Sequence, residues 1–186
     1  MSLPASVEGR DRLRLFCALR LSEDVVEQLL EWQRQALPER EGLRPTRREQ
    51  LHVTLAFLGT RPAADIPVVS EVLEEACGGR QRPTLAPRRY RETRSVGMIV
   101  LDDEEERATR LAERLHKRLE RAGVYQREKR RWLPHLTVAR FRTPPRLRLE
   151  APRLGPFSPS EAAVYHSLLR PGGAQYEVLH TVALGR

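Results

Sequence analysis

Two segments of this 186-residue chain repeat one pattern: histidine, apolar residue, threonine, apolar residue, alanine. The first copy occupies residues 51–57 and the second residues 134–140, and the two histidines are 83 positions apart. Each copy alternates polar and apolar side chains with a period of two, which is typical of a strand with one buried face. A repeat spaced at nearly half the chain length predicts two similar lobes that face each other across a groove.

The spacing within each copy predicts which side chains share a face. Residues two apart on a strand point to the same side, so His52 lies beside Thr54 and His135 beside Thr137. A polar pair on an otherwise apolar strand costs free energy if it is buried without partners, so the groove wall is the expected location. The apolar residues between them should pack on helices: Val53, Leu55, Leu136 and Val138.

Two imidazoles and two hydroxyls that face one another suit the hydrolysis of a phosphodiester. A histidine titrates near pH ~6.5, so one can accept a proton from water while the other donates one to the leaving oxygen. Threonine hydroxyls can hold the non-bridging phosphate oxygens. Neither copy contains an aspartate or glutamate, so the usual ligand sets of hydrolytic metal sites are missing and we expect no metal or cofactor.

The alternative is a structural role for these histidines. A single His-x-Thr tripeptide more often marks a structural histidine, whereas two copies with matched flanks favour function. A structural duplication, with histidines bonded to the backbone, stays open as the specific alternative. The other histidines, His116, His166 and His180, are interpreted as structural.

The remaining pattern predicts an α+β fold with a mostly antiparallel sheet. The predicted order is β-α-β-α-β-β-α-β followed by a run of strands near 146–149, 161–169 and 175–184. The last two are joined by a hairpin turn at 171–173. Helices are expected at about 22–36, 65–77 and 102–122, the last beginning with an acidic first turn. We expect residues 1–186 to form one domain of two lobes, with residues 1–10 flexible.

Composition narrows the environment and the partners. The formal net charge is +8 and nearly all basic residues are arginines, which suit phosphate groups and predict affinity for polyanions. The only cysteines, Cys17 and Cys77, lie in apolar surroundings and predict buried thiols in a reducing compartment. We find no signal peptide and no membrane-length apolar run. A monomeric cytoplasmic protein without a membrane partner is expected.

The chain resembles the two-histidine (2H) phosphoesterase family, and within it the branch of RNA 2′,3′-cyclic phosphodiesterases. The resemblance covers nearly the whole chain, through residues 14–19, 51–59, 134–140 and 167–176. It implies a bilobal α+β fold in which two mostly antiparallel sheets, related by pseudo-twofold symmetry, flank a central groove, with helices on the outside.

The resemblance also implies a role for each site residue. His52 would protonate the departing 3′ oxygen, His135 would activate water, and Thr54 and Thr137 would bind the phosphate. Phe57 would stack on the terminal base and Arg140 would bind the phosphate or guide its approach. Strict alternation turns both Phe57 and Arg140 away from the groove, so these roles require a twist or bulge. Otherwise Phe57 is a core aromatic and Arg140 a surface charge.

The expected function is therefore hydrolysis of RNA 2′,3′-cyclic phosphate ends to 2′-phosphates without a metal. Reverse, ATP-independent 2′–5′ ligation of RNA is a possible companion activity by microscopic reversibility. Two alternatives remain: a phosphodiesterase for 2′–5′ oligonucleotides and a non-catalytic module that binds RNA ends. Such a module would need only arginines and aromatic residues, so the intact His/Thr set argues against it.

Overall fold

The computed structural model describes Val7, residues 9–170 and residues 173–185. Most of the segment predicted to be flexible, 1–10, and part of the predicted turn at 171–173 lie outside the described residues. The elements in chain order are β1 (Arg12–Arg20), α1 (Glu23–Ala36), β2 (Leu43–Pro45), β3 (His52–Pro62), α2 (Ile66–Cys77), β4 (Leu85–Glu92), β5 (Val96–Asp103), α3 (Arg107–Arg121), β6 (His135–Phe141), β7 (Glu161–Arg170) and β8 (Gly173–Ala183).

Within the described residues the strands form one curled sheet in the order β4-β5-β6-β3-β1-β7-β8, with the short β2 beside β6. Every pairing in it is antiparallel. The central strands β3 and β6 meet at the single pair Val53↔Leu136. The predicted α+β fold with an antiparallel sheet is confirmed, and its two halves are joined at this one residue pair.

All three helices pack on one face of the sheet. Each is amphipathic and inserts a fully buried leucine into the same core: Leu29 from α1, Leu73 from α2 and Leu115 from α3. Burial of these side chains provides the main stabilisation of the layer, at about 2 kcal/mol each. The opposite face, which we call the open face, carries a separate small cluster of Phe16, Ala18, Ala163 and Tyr165.

The strand predicted near residues 146–149 is absent, and this prediction was wrong. Arg146 adopts a left-handed conformation with φ of 58°, which a strand cannot accommodate. The backbone N–H groups of Arg146 and Leu147 donate to the Glu92 carboxylate at 2.9 and 2.8 Å instead of to a neighbouring strand. Charged and apolar residues do alternate over 146–149, but the Glu92 side chain takes the place of a neighbouring strand as the hydrogen-bond partner of this backbone. Conversely, the short β2 was not predicted.

Cys17 and Cys77 are both buried free thiols, as predicted. Burial raises the pKa of each thiol well above its ordinary value, so both stay protonated and unreactive. In the described part of the chain no helix combines the length and apolar character needed to cross a membrane.

Candidate active site

The two repeated segments lie on β3 and β6, side by side at the centre of the sheet. Val53 and Leu136 are fully buried on the helix-covered face, whereas the histidines and threonines beside them are only half-buried. The antiparallel register through Val53↔Leu136 therefore aligns His52 with Thr137, and Thr54 with His135, on the open face. The structure brings together the four residues that the sequence predicted.

Each histidine is oriented by the backbone two residues before it. The Nδ1 atom of His135 donates to the carbonyl of Leu133 at 2.8 Å, and the His52 ring has a hydrogen bond to the backbone of Gln50. The Thr54 hydroxyl lies 3.0 Å from Nε2 of His52, which leaves Nδ1 for Gln50. In both rings, Nε2 is thus the nitrogen available to a ligand on the open face.

Both histidines favour the neutral form in the free protein. Burial lowers the pKa of His52 to about 4, opposed by the Gln50 hydrogen bond and reinforced by the positive charges of His135 and Arg140. Burial likewise lowers the pKa of His135, opposed by its bond to Leu133 and reinforced by Arg130. A bound phosphate anion would raise both pKa values again, since an opposite charge favours the protonated form.

Three aromatic side chains surround His52 on the open face. Its ring centroid lies 5.0 Å from that of Phe16, 5.4 Å from Tyr176 and 6.1 Å from Tyr165. Phe16 also stacks on Tyr165 at 4.8 Å. These contacts desolvate His52 and fix its ring. We call Phe16, Tyr165 and Tyr176 the aromatic wall. Sequence reasoning did not predict it, although Phe16 alternates with Leu15 and Cys17 on β1 and therefore points to the face opposite theirs.

A β-bulge interrupts each central strand at the same position of the repeat. On β3, residues 54 and 56 pair with adjacent residues of β1, so Leu55 is the extra residue. On β6, residues 137 and 139 pair with adjacent residues of β5, so Val138 is the extra residue. One inserted residue reverses the alternation beyond it, and Phe57 and Arg140 therefore return to the open face.

Local contacts agree with this placement. Phe57 is 48% exposed and pairs across the strands with Phe16, and the Arg14 guanidinium lies 5.4 Å from its ring centroid. It is therefore not a core aromatic. The charge of Arg140 contributes to lowering the pKa of His52, so its guanidinium lies within electrostatic range of the imidazole. The roles of both residues stay predictions.

Buried polar side chains from the helices hold the two bulges. His116 of α3 donates from Nε2 to the Leu55 carbonyl at 2.8 Å, and Gln33 of α1 donates to the Val138 carbonyl at 2.7 Å. The backbone N–H of Thr46 also donates to Val138, at 2.9 Å. Each bulge carbonyl is thereby satisfied away from the regular ladder. His116 is structural, as the sequence analysis expected.

Arg44 of β2 is a further residue that sequence reasoning did not single out. It pairs directly opposite Arg140, and both side chains are exposed. Like charges in this position repel, unless an anion binds between them. Among the described residues neither arginine has an acidic partner within salt-bridge distance. The pair forms a positively charged edge beside the four His/Thr residues.

His166 and His180 lie away from the site. His166 is buried and pairs opposite the core residue Leu15, and His180 contacts Glu74 of α2 at 2.7 Å. Both side chains therefore lie on the helix-covered side. In the portion of the chain that the structure describes, no group of three or more His, Cys, Asp or Glu residues could hold a metal ion.

Comparisons with known proteins agree on one family. A family model described as the 2′-5′ RNA ligase superfamily matches residues 21–168. An RNA 2′,3′-cyclic phosphodiesterase of Thermus thermophilus is 35% identical over 197 positions, covering 92% of this chain and 90% of that protein. The apo crystal structure of Escherichia coli LigT has a TM-score of 0.79 at 25% identity, covering 95% of this chain and 100% of LigT. LigT complexed with 3′-AMP gives a TM-score of 0.75 with the same identity and coverage.

Proposed function

Because the chain belongs to the 2′-5′ RNA ligase superfamily, whose members are two-histidine phosphoesterases, we propose that it is an RNA 2′,3′-cyclic phosphodiesterase. The observation that carries the proposal is the pair of His/Thr sets facing each other across Val53↔Leu136 on the open face. The 35% identity to an RNA 2′,3′-cyclic phosphodiesterase over nearly the whole chain supports the choice of substrate.

In the proposed reaction the cyclic phosphate lies between the two histidines. His135 takes a proton from water, whose oxygen attacks phosphorus, and the bond to the 3′ oxygen breaks. His52 gives its proton to that oxygen, so the products are a 2′-phosphate and a free 3′ hydroxyl. Thr54 and Thr137 donate to the non-bridging oxygens, where negative charge accumulates.

The neighbouring residues are proposed to position the rest of the substrate. Phe57 offers an exposed aromatic face for the terminal base, and base–aromatic stacking contributes about 1–3 kcal/mol. Arg140, with Arg44 opposite it, attracts the phosphate toward the histidines. The approach of the anion also favours protonation of His52, whose pKa of about 4 in the free protein keeps it neutral.

Turnover of an oligonucleotide with a 2′,3′-cyclic phosphate end, measured in EDTA, tests the proposal. His52→Ala and His135→Ala should each lower kcat about 10²–10⁴-fold, the usual effect of removing a general acid or base. His180→Gln is the matched control, because that side chain contacts α2 rather than the open face. Undiminished activity in either alanine variant, or complete loss with EDTA alone, contradicts the mechanism.

The pH profile of the wild type provides a second readout. Because burial lowers the pKa of both histidines, the alkaline limb of kcat/KM should lie below pH ~6.5. The alkaline limb of kcat, which reports the enzyme with substrate bound, should lie at higher pH, because the bound phosphate raises the pKa values of both histidines. A flat profile between about pH 5 and 8 would exclude two titrating histidines.

A substrate with sulfur in place of the 3′ bridging oxygen tests which histidine is the acid. A thiolate leaves without needing a proton, so His52→Ala should recover most of its activity on this substrate. His135→Ala should stay impaired, because water still has to be activated. The opposite result exchanges the two roles.

The description of the family as 2′-5′ RNA ligases favours a second candidate activity, ligation at the same cyclic phosphate. A 5′ hydroxyl of another RNA would attack the cyclic phosphate in place of water and form a 2′–5′ bond without ATP. Mixing RNA halves with cyclic-phosphate and 5′-hydroxyl ends tests this. The same assay series should include 2′–5′ oligonucleotides, since preferential turnover of these would replace the proposed substrate.

We also infer that the protein acts on RNA as a monomer in the cytoplasm. Both His/Thr sets come from one chain, so the site does not require a second copy. The two buried cysteines are free thiols, consistent with a reducing compartment. A monomer mass in sedimentation equilibrium and recovery in the cytoplasmic fraction are the expected results; a stable dimer or secretion would contradict them.

A further inference from the structure

The edge strand β4 carries two arginines in register with the candidate active site. Arg89 pairs with Val100, which in turn pairs with His135. Two residues further along β4, Arg91 pairs with Met98, which in turn pairs with Thr137. Residues directly opposite one another in a sheet point to the same face. The register therefore places both arginines on the open face.

The residues between and after them confirm this direction. Tyr90 packs against the helix-covered core, near Trp32, and its ring covers Gly97 so closely that a Cβ there would collide with the Tyr90 hydroxyl. The Glu92 carboxylate accepts hydrogen bonds from the backbone of Arg146 and Leu147. With Tyr90 and Glu92 facing one way, the exposed side chains of Arg89 and Arg91 face the other.

Neither of these two guanidinium groups has an acidic partner in the part of the chain that the structure describes. Among the described residues, neither Arg89 nor Arg91 has an ion pair or a side-chain hydrogen bond. Asp102 on neighbouring β5 lies 3.6 Å from Arg88 instead. Several other arginines are neutralised in ion pairs, among them Arg20–Glu161, Arg34–Glu31, Arg61–Asp65, Arg118–Glu75, Arg130–Glu128 and Arg131–Glu106.

The distance from the site fits a polymer and not the reacting group. Arg89 and Arg91 lie two strands away from β6, or about 10 Å across the sheet. This is too far for contact with the phosphate held between the histidines. The side chains between these arginines and β6 are the apolar Val100 and Met98, so within the described ranges no competing charge lies between the arginines and the histidine.

The opposite side of the site has a different character. There the open face carries the aromatic wall around His52, and the cation Arg20 is already paired with Glu161 at 2.7 Å. On that side Arg14 lies over the Phe57 ring. On the other side, unpaired positive charge among the described residues extends from Arg140 to Arg89 and Arg91 of β4. A polyanion that places its end between the histidines is attracted to leave the site in that direction.

We propose that Arg89 and Arg91 bind backbone phosphates of the RNA on the 5′ side of its terminal cyclic phosphate. The inference rests on the proposed function and extends it, because it assigns the path of the polymer beyond the reacting nucleotide. It makes the enzyme selective for oligonucleotides over mononucleotides. Arginines bind phosphate through paired N–H donors, so each contributes affinity without reading sequence.

The test compares two substrates and one non-reacting ligand in the double variant R89A/R91A. KM for a cyclic-phosphate oligonucleotide should rise about 10-fold or more, while kcat/KM for a 2′,3′-cyclic mononucleotide stays within about twofold. Binding of an oligonucleotide ending in a 2′-phosphate, followed by fluorescence anisotropy, should lose about 1–2 from its log–log salt slope. R89K/R91K should retain most of that slope, because the charges remain.

The control R118A/R121A removes the same charge from α3, on the helix-covered side, and should change none of these quantities. Unchanged oligonucleotide binding in R89A/R91A, or an equal loss on oligonucleotide and mononucleotide, overturns the inference. If the wild type binds the oligonucleotide through these arginines but does not hydrolyse the cyclic phosphate, the proposed function is wrong and the inference about the arginines stands. A wild type that hydrolyses both substrates equally well refutes the polymer path alone.

Discussion

At the scale of single residues, the environment of His52 determines its protonation state. The ring is enclosed by Phe16, Tyr165 and Tyr176. The backbone of Gln50 holds one of its nitrogens, and the Thr54 hydroxyl orients the other, Nε2, toward the open face. Desolvation outweighs the hydrogen bond to Gln50, so the neutral form is favoured. A histidine in this state is ready to respond to the charge of an incoming phosphate.

This environment predicts a dependence of stability on pH. The pKa of His52 is about 4 in the folded protein and ordinarily about 6.5 when unfolded, so the unfolded chain binds the proton first. Its stabilising contribution is complete above pH ~6.5 and is lost as the pH falls toward 4, amounting to about 3 kcal/mol. Glutamine does not titrate, so the unfolding free energy of His52→Gln, measured by urea titration, should fall less steeply than that of the wild type between pH ~6.5 and 4. An unchanged slope would contradict the assignment.

At the scale of elements, the decisive features are the bulges at Leu55 and Val138. Each inserts one residue into a central strand and turns the side chain beyond it, Phe57 or Arg140, toward the open face. The helices supply the partners for the displaced carbonyls, through His116 and Gln33. The bulges are therefore part of the packing of helix on sheet and also aim two site residues.

Replacing Gln33 with methionine should weaken the β6 bulge. Methionine has a similar shape but no N–H donor, so the carbonyl of Val138 loses its side-chain partner, and unfolding free energy should fall by about 1–3 kcal/mol. KM should rise together with this loss because Arg140 is no longer held in place. Gln35→Met on the exposed side of the same helix is the control and should stay within about 0.5 kcal/mol. Equal effects of the two changes would argue against a role for the bulge.

At the scale of the whole molecule, the two halves of the sheet share one core. The strands of the two halves meet only at Val53↔Leu136 within the described residues, yet side chains from both halves belong to a single buried cluster beneath all three helices. The Trp132 indole adds a link by donating to the Thr54 carbonyl at 3.0 Å. The shared core holds the two His/Thr sets at a fixed separation.

A shared core predicts cooperative unfolding of the two lobes. Leu29→Ala and Leu115→Ala, in helices far apart along the chain, should each destabilise by about 2–5 kcal/mol and shift one common transition. Differential scanning calorimetry should give equal calorimetric and van't Hoff enthalpies for the wild type. Two separable transitions, each sensitive to only one substitution, would contradict a single domain.

The repeated pattern alone was enough to identify the central strands, the face of each His/Thr pair and the four residues that meet. Strand parity is local, so it can be derived from the order of side chains along one segment. The antiparallel α+β architecture followed from the order of segments, because those with the two-residue period of strands are interspersed with those that have the helical period of 3.6 residues. Family resemblance added Phe57 and Arg140, which parity by itself placed on the wrong side.

Tertiary structure decided what depends on neighbouring strands and helices. A bulge exists only relative to a paired strand, so the position of Phe57 and Arg140 required β1 and β5. The missing strand at 146–149 depended on the distant carboxylate of Glu92, and the aromatic wall and the row from Arg89 to His135 depended on register. The sequence by itself determined the local pairing of histidine with threonine. Only the packed sheet decided which other side chains share their face, because that is set by contacts between residues far apart in the chain.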